Sequence, residues 1–268
     1  MWPEWNRGRP AAVVALAILL LASACTGRHS PSKASGSHAA SGPPLVGSLQ
    51  IYADSSLDPV MNQLGSVFIG AHPQVRLLPI SYEGTQAIAT SLENGSTPDV
   101  VAVVNPSALG SNVVTGTVET FASDPLQIVV KAKDPRGIES LSDLTRSSIS
   151  VVLPDPSLPL GLNAEEALAA AGVRLPSATT SLSVGTIIND VGAGTSDAGI
   201  VNSSDVVSGG SPVTGVAIPA ADQYPTTETV AAMAGTPDQD VASAFVSYLM
   251  SAPGQATLAN AGFGPPPP

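Results

Sequence analysis

From Leu49 onward the chain alternates short β-rich runs with segments of helical spacing. The run LQIY at 49–52 reads as a strand closed by an Asp54-Ser55-Ser56 turn. Apolar Val60, Leu64, Val67 and Phe68 then recur at helical intervals over 59–69. A strand over 75–80, a helix over 86–93 and a buried strand over 99–104 complete a first set. A second set begins with a strand at 126–131, a short helix in GIESLSDL and a strand at 150–153. A helix follows over 163–171, then Ser183-Val184-Gly185 precedes a helix running to about 191, and a strand stands at 198–201. A strand over 227–233 and an amphipathic helix over 238–250 end the series, the helix carrying Val241, Ala244, Phe245, Tyr248 and Leu249 on its apolar side. Strand, turn with Ser or Thr, helix and strand in succession are the mark of parallel βαβ units, so the fold class is α/β.

The two ends do not share this alternation. Arg7 and Arg9 precede an uncharged run from Ala11 to Ala24, shorter than the roughly 18 to 20 apolar residues that cross a bilayer. A charged start, a short apolar core and small residues before a cut site describe a secretory signal over 1–24. Cys25 follows at once and is the only cysteine, so it has no intramolecular disulfide partner. It reads either as an unremarkable residue of a discarded peptide or as the lipidated first residue of the mature protein. Residues 25–44 are rich in Ser, Gly, His, Ala and Pro without apolar periodicity, as a flexible tether is. Residues 265–268 form a proline tail that cannot continue a helix.

Composition narrows the function by exclusion. Without the signal the chain keeps 8 basic against 20 acidic residues, a balance of −12. Such a chain lacks the basic footprint of a nucleic-acid binder, and anionic headgroups repel it, which suits membrane attachment through an acyl chain alone. Aromatic residues make up 4% of the chain, too few for a stacking platform. His29 and His38 lie in the tether, leaving His72 as the one histidine of the folded part. One histidine and no cysteine disfavour a zinc site, and His72 sits in the turn GAHPQV, a poor place for a catalytic base. No pair among Asp54, Glu83 and Asp155 is singled out by spacing as a glycosidase pair. No enzyme, metal site or cofactor is therefore expected.

Several segments stand in a characteristic order: LQIYADSSL, ENGSTPDVVAV, DPRGIESLSDL, LPDPSLPLGLNAEEAL, SDAGIVNSSD and FVSYLMSAPGQATLANAGF. On these the chain resembles the periplasmic molybdate-binding proteins of ABC importers. The resemblance implies a two-lobed type II periplasmic-binding-protein fold, each lobe a mainly parallel sheet flanked by helices, joined by two crossover strands. Lobe 1 would comprise 45–120 plus 228–264, and lobe 2 would comprise 125–222. It implies a monomeric receptor, exported and anchored through Cys25 to the outer face of the cytoplasmic membrane. The receptor would capture a tetrahedral oxyanion, molybdate or tungstate first, for an ABC permease and its ATPase. Phosphate, a small organic anion, or a sensor that merely keeps the fold remain the alternatives.

Such an anion needs no lysine or arginine, because helix N-termini offer unpaired N–H groups and Ser or Thr hydroxyls add donors. By resemblance Ser56 and Thr85 supply hydroxyls, Leu160 and Val184 supply backbone N–H groups, and Asn202 stands where the family has a tyrosine. Ser56 and Thr85 are equally well placed as plain helix caps, and Asn202 as a turn residue at a strand end. Asp54 and Glu83 each lie two residues before a candidate donor. A carboxylate beside a dianion is repulsive at low dielectric. They therefore point to solvent, cap neighbouring backbone, accept a hydrogen bond from a protonated ligand, or mark a site that has changed its preference.

Overall fold

The computed structural model describes residues 44–104, 106–109 and 118–267; the signal, most of the tether and Cys25 lie outside the described residues. The chain opens with β1 (Gly47–Leu49) and β2 (Ile51–Asp54), then a 3-10 turn over Ser55–Leu57 that runs into α1 (Asp58–Ala71). β3 (Val75–Leu77), β4 (Ser81–Glu83), α2 (Thr85–Glu93) and β5 (Val100–Val103) follow. β6 (Val118–Asp124) passes through Pro125 into β7 (Leu126–Lys131). Next come β8 (Val151–Pro154), α3 (Pro159–Ala170), β9 (Thr179–Ser181), α4 (Val184–Ala193), β10 (Ala198–Asn202), α5 (Ser203–Gly209) and β11 (Val213–Ala217). β12 (Thr226–Ala232), α6 (Gln239–Met250) and α7 (Ala252–Asn260) complete the order.

Two five-stranded sheets result, in the orders β4-β2-β5-β12-β6 and β11-β7-β10-β8-β9. In the first, β2 runs parallel to β4 and β5, and β12 is antiparallel to both β5 and β6. In the second, β8 runs parallel to β9 and β10, and β7 is antiparallel to both β10 and β11. Each sheet thus has one reversed strand among four that share a direction. Listing the second sheet from its other edge, β9-β8-β10-β7-β11, superposes its order on the first. α3 and α4 then take the places of α1 and α2.

Helices cover both faces of each sheet, because every central strand is apolar on both sides. Ile51, Ala53, Val100, Ala102 and Val230 pack on Met61, Leu64 and Phe68 of α1 and on Phe245 and Leu249 of α6. The opposite face sets Val101 and Val103 against Ile88 and Leu92 of α2. In the second sheet Ile128, Val130, Ile200 and Val151 pack on Ala164, Ala167 and Leu168 of α3. Val129, Val152 and Val201 meet Ile187 and Val191 of α4.

One expected strand is divided and another is cut short. The run 49–52 breaks at Gln50, whose N–H donates to Asp99 Oδ2 at 2.6 Å instead of to a ladder. Before the break β1 pairs with β3; after it β2 joins the first sheet. The run 75–80 breaks at Pro79, which has no N–H and whose carbonyl accepts from Gln50 Nε2 at 2.9 Å. The helix expected over 163–171 begins earlier, at Pro159, since proline suits a first helical turn. The GIESLSDL segment is a 3-10 turn over Leu141–Thr145 with a Ser140–Asp143 capping box.

The ribbon of β6 and β12 carries the chain between the sheets. Thr226 faces Asp124 and Glu228 faces Ala122, with a register shift between Glu228 and Thr229. The C-terminal segment braces the same place. Ser123 N–H donates to Gly264 O at 3.1 Å, and Gly264 N–H donates back to Ser123 O at 2.7 Å. Gly262, at φ +97°, lies so close to α5 that an added Cβ would overlap Ser203 O and Ser204 Cα. This accounts for the Gly-Phe ending noted in the sequence.

Candidate functional site

The five candidate ligand residues lie on the carboxyl side of strands, the side on which open α/β sheets bind ligands. Four sit between the strand end and the first turn of the next helix, and Asn202 sits at the strand end itself. Ser56 follows β2, Thr85 follows β4, Leu160 follows β8, Val184 follows β9, and Asn202 ends β10. Each occupies a strand-to-helix connection, so its backbone N–H belongs to a helix start or its flank.

In the first sheet the structure brings Ser56 and Thr85 together on one group, the Asp54 carboxylate. Ser56 N–H and Oγ donate to Asp54 Oδ1 at 3.1 and 3.0 Å. Thr85 N–H and Oγ1 donate to Asp54 Oδ2 at 3.0 and 2.7 Å. Asp54 therefore caps backbone on two separate helix starts, one of the readings open from the sequence. Glu83 is held more loosely, accepting from Ser81 Oγ and Ser91 Oγ at 3.4 Å each.

The second sheet repeats the first connection with a different outcome. Asp155, just past β8, accepts from Ser157 N–H at 3.0 Å and from Ser157 Oγ at 2.7 Å. These bonds, and one from the Thr180 side chain, hold its carboxyl below the usual range. It makes no bond to the start of α4, where Ser183 Oγ accepts from Thr186 N–H instead. Leu160 buries its side chain in the second core, leaving only its N–H for a ligand. Among the described residues no hydrogen bond uses the N–H of Leu160 or of Val184. Gly161 lets α3 start this close to the turn, since a Cβ there would overlap the Asp155 carbonyl oxygen.

Asn202 is committed elsewhere. It forms a capping box with Asp205 at the start of α5, its N–H donating to Asp205 Oδ2 at 3.1 Å. Its Oδ1 accepts from Thr226 Oγ1 at 3.5 Å, which ties it to the crossover ribbon.

That ribbon holds the groups that sequence reasoning missed. Asp124 and Glu228 are both 0% exposed. Asp124 accepts from Ser204 N–H at 3.1 Å and from Ser204 Oγ, yet burial pushes its carboxyl up to about 7. Burial also raises Asp205, to about 6. Neither oxygen of Glu228 has a hydrogen-bond partner. Burial, reinforced by the negative charges of Asp124 and Asp54, lifts its carboxyl well above the ordinary range. Among the described residues no group of His, Cys, Asp or Glu is arranged to hold a metal ion. An acid inside the apolar alternation of TTETVAA was the one available signal. Asp124, ahead of Pro125, reads in sequence as an ordinary turn residue.

Two α/β lobes of matching strand order, joined by a paired crossover ribbon, with helix starts gathered on the carboxyl edges, define the type II periplasmic-binding-protein fold. The chain belongs to the bacterial extracellular solute-binding protein family, whose pattern it matches over residues 49–264. It is similar to the molybdate-binding protein ModA of Mycobacterium tuberculosis, 31% identical over 223 residues that span 82% of this chain and 85% of that protein. Among solved structures it is similar to a substrate-binding domain assigned to a molybdenum ABC transporter of Clostridium difficile. That likeness has a TM-score of 0.74 at 20% identity, covering 81% of this chain and 98% of that one. The periplasmic molybdate-binding protein of Azotobacter vinelandii gives a TM-score of 0.64 at 18% identity, covering 82% and 100%.

Proposed function

We propose that this protein is an extracytoplasmic receptor that captures a tetrahedral oxyanion between its two lobes and delivers it to an ABC permease and ATPase. The observation that carries the proposal is the convergence of four donors, two N–H groups and two hydroxyls from Ser56 and Thr85, on a single carboxylate. Donors so arranged form an anion cradle built from helix starts rather than from cations. None of the connections bearing the five candidate residues contains a lysine or arginine. The N–H groups of Leu160 and Val184 supply the second lobe's share, with Asn202 at the junction. The similarity to molybdate-binding relatives makes molybdate and tungstate the starting candidates. Among the described residues no helix is long and apolar enough to cross a membrane, and a lipid on Cys25 would supply the anchor.

The test is a thermal-shift series on the full-length chain in detergent with molybdate, tungstate, sulfate and phosphate. A ligand that binds only the folded state raises the melting temperature by mass action. A rise with at least one of the four is expected; a flat response to all four removes the oxyanion assignment.

A further inference from the structure

We infer that Asp54 is the specificity-determining residue of this cleft, admitting an oxyanion only where the anion brings a proton for the Asp54 carboxylate to accept. The inference rests on the oxyanion reading and moves its first candidate from molybdate and tungstate to an oxyanion that keeps a proton. A carboxylate offers about four acceptor positions, and Asp54 fills them with Ser56 N–H, Ser56 Oγ, Thr85 N–H and Thr85 Oγ1. These are the donors an incoming anion needs. Any donor that turns to the ligand is lost to Asp54, which the β2 ladder holds at the strand end opposite Glu83.

The two possible ligand classes then part. A fully deprotonated dianion takes the donors, returns nothing to Asp54, and adds negative charge beside a half-buried carboxylate. An oxyanion that keeps an O–H takes the same donors and gives Asp54 a hydrogen bond in return. The surroundings offer no relief to the dianion. Glu228, fully buried and without a hydrogen-bond partner, is a second acid and not a counter-ion. Glu83, on the neighbouring strand end, is a third. No base stands on the connections from 54 to 58 or from 83 to 86.

The proton therefore distinguishes phosphate, which carries at least one at neutral pH, from its near-isostere sulfate and from molybdate, which carry none. Titration calorimetry of the full-length chain at pH 7 compares these three anions on the wild type, Asp54→Asn and Asp54→Ala. The wild type is expected to prefer phosphate over sulfate by at least about tenfold. Asp54→Asn keeps the shape without the charge, and should bring that ratio within about threefold by gaining sulfate and molybdate and losing phosphate. Asp54→Ala frees all four donors and should gain the dianions further; if it does not fold, Asp54→Asn alone carries the comparison. Wild-type binding of sulfate or molybdate as tight as that of Asp54→Asn overturns the role of Asp54 and leaves the oxyanion reading standing. Silence of the wild type and both variants toward all three anions overturns the oxyanion reading, and this inference with it.

Discussion

The two lobes solve the same local problem differently. In each, an aspartate at the end of, or just past, the strand beginning the parallel set accepts the N–H and hydroxyl of a serine two residues on. In the first lobe that aspartate also reaches the start of the next helix at Thr85. In the second, Asp155 makes no bond to the start of α4, which is capped by its own Ser183. One pair of side-chain bonds thus separates a lobe whose donors are already engaged from a lobe whose donors remain open. Equivalent folds with equivalent motifs need not present equivalent surfaces to a ligand. What differs is whether an internal acceptor can span two connections.

The largest test of this contrast is pH, because the acids around the crossover belong electrostatically to the Asp54 side. Asp124, Asp205 and Glu228 all have carboxyls raised in the folded state, Asp124 from 3.8 to about 7. The folded chain therefore holds protons that the unfolded chain releases, and stability falls as pH rises from about 4 until it levels off above the folded values. Urea unfolding followed by circular dichroism should show the protein roughly 2 to 4 kcal/mol more stable at pH 5 than at pH 7.5. Asp124→Asn should flatten part of that slope. A protein equally stable at both values would show that the buried acids do not titrate as their burial demands.

A smaller effect, confined to the other lobe, is expected of Gly161→Ala. The new methyl would overlap the Asp155 carbonyl oxygen, so the turn after β8 must move, at a cost of about 1 to 3 kcal/mol. Amide exchange should speed up in β8 and α3 while β2 and α1 stay protected. Uniform loss of protection would mean that the lobes do not open separately. The smallest test sharpens the contrast directly. Ser56→Ala removes one of the four donors through which Asp54 ties two helix starts together and should cost about 1 kcal/mol, whereas Ser157→Ala loosens a single turn around Asp155, which is half-buried like Asp54, and should cost less. Equal effects would erase the asymmetry.

The alternation of strands and helices was legible because periodicity records burial, and burial here is two-sided in nearly every central strand. The unread parts share a cause: they depend on partners distant in sequence. Gln50 breaks a strand because of Asp99 and Pro79, and no local pattern at 49–52 contains either. β9 and β11 are short edge strands, TTS and VTGVA, with mostly open faces and little periodicity to detect. α7 follows α6 after a single residue, and SAPGQATLAN has too weak an apolar face to signal a second helix. At the site, Ser56, Thr85, Leu160, Val184 and Asn202 were picked out by the family resemblance, and the strand and helix pattern put them at strand ends and helix starts. The sequence left open what Asp54 does, since an aspartate before a serine caps its own turn in most settings. Only the tertiary placement of β4 beside β2 brings Thr85 within its reach.

The position of β12 has a consequence for how the chain is assembled in time. The second sheet uses one continuous stretch, complete once Ala217 has been made. The first sheet needs β12 between β5 and β6, and no earlier segment fills that gap. A chain synthesised from its N-terminus must hold β2, β4 and β5 as an unfinished half-sheet while the inserted lobe closes first. The first sheet is therefore the last part to take shape, and the acidic strand that completes it, carrying Glu228, arrives as the keystone.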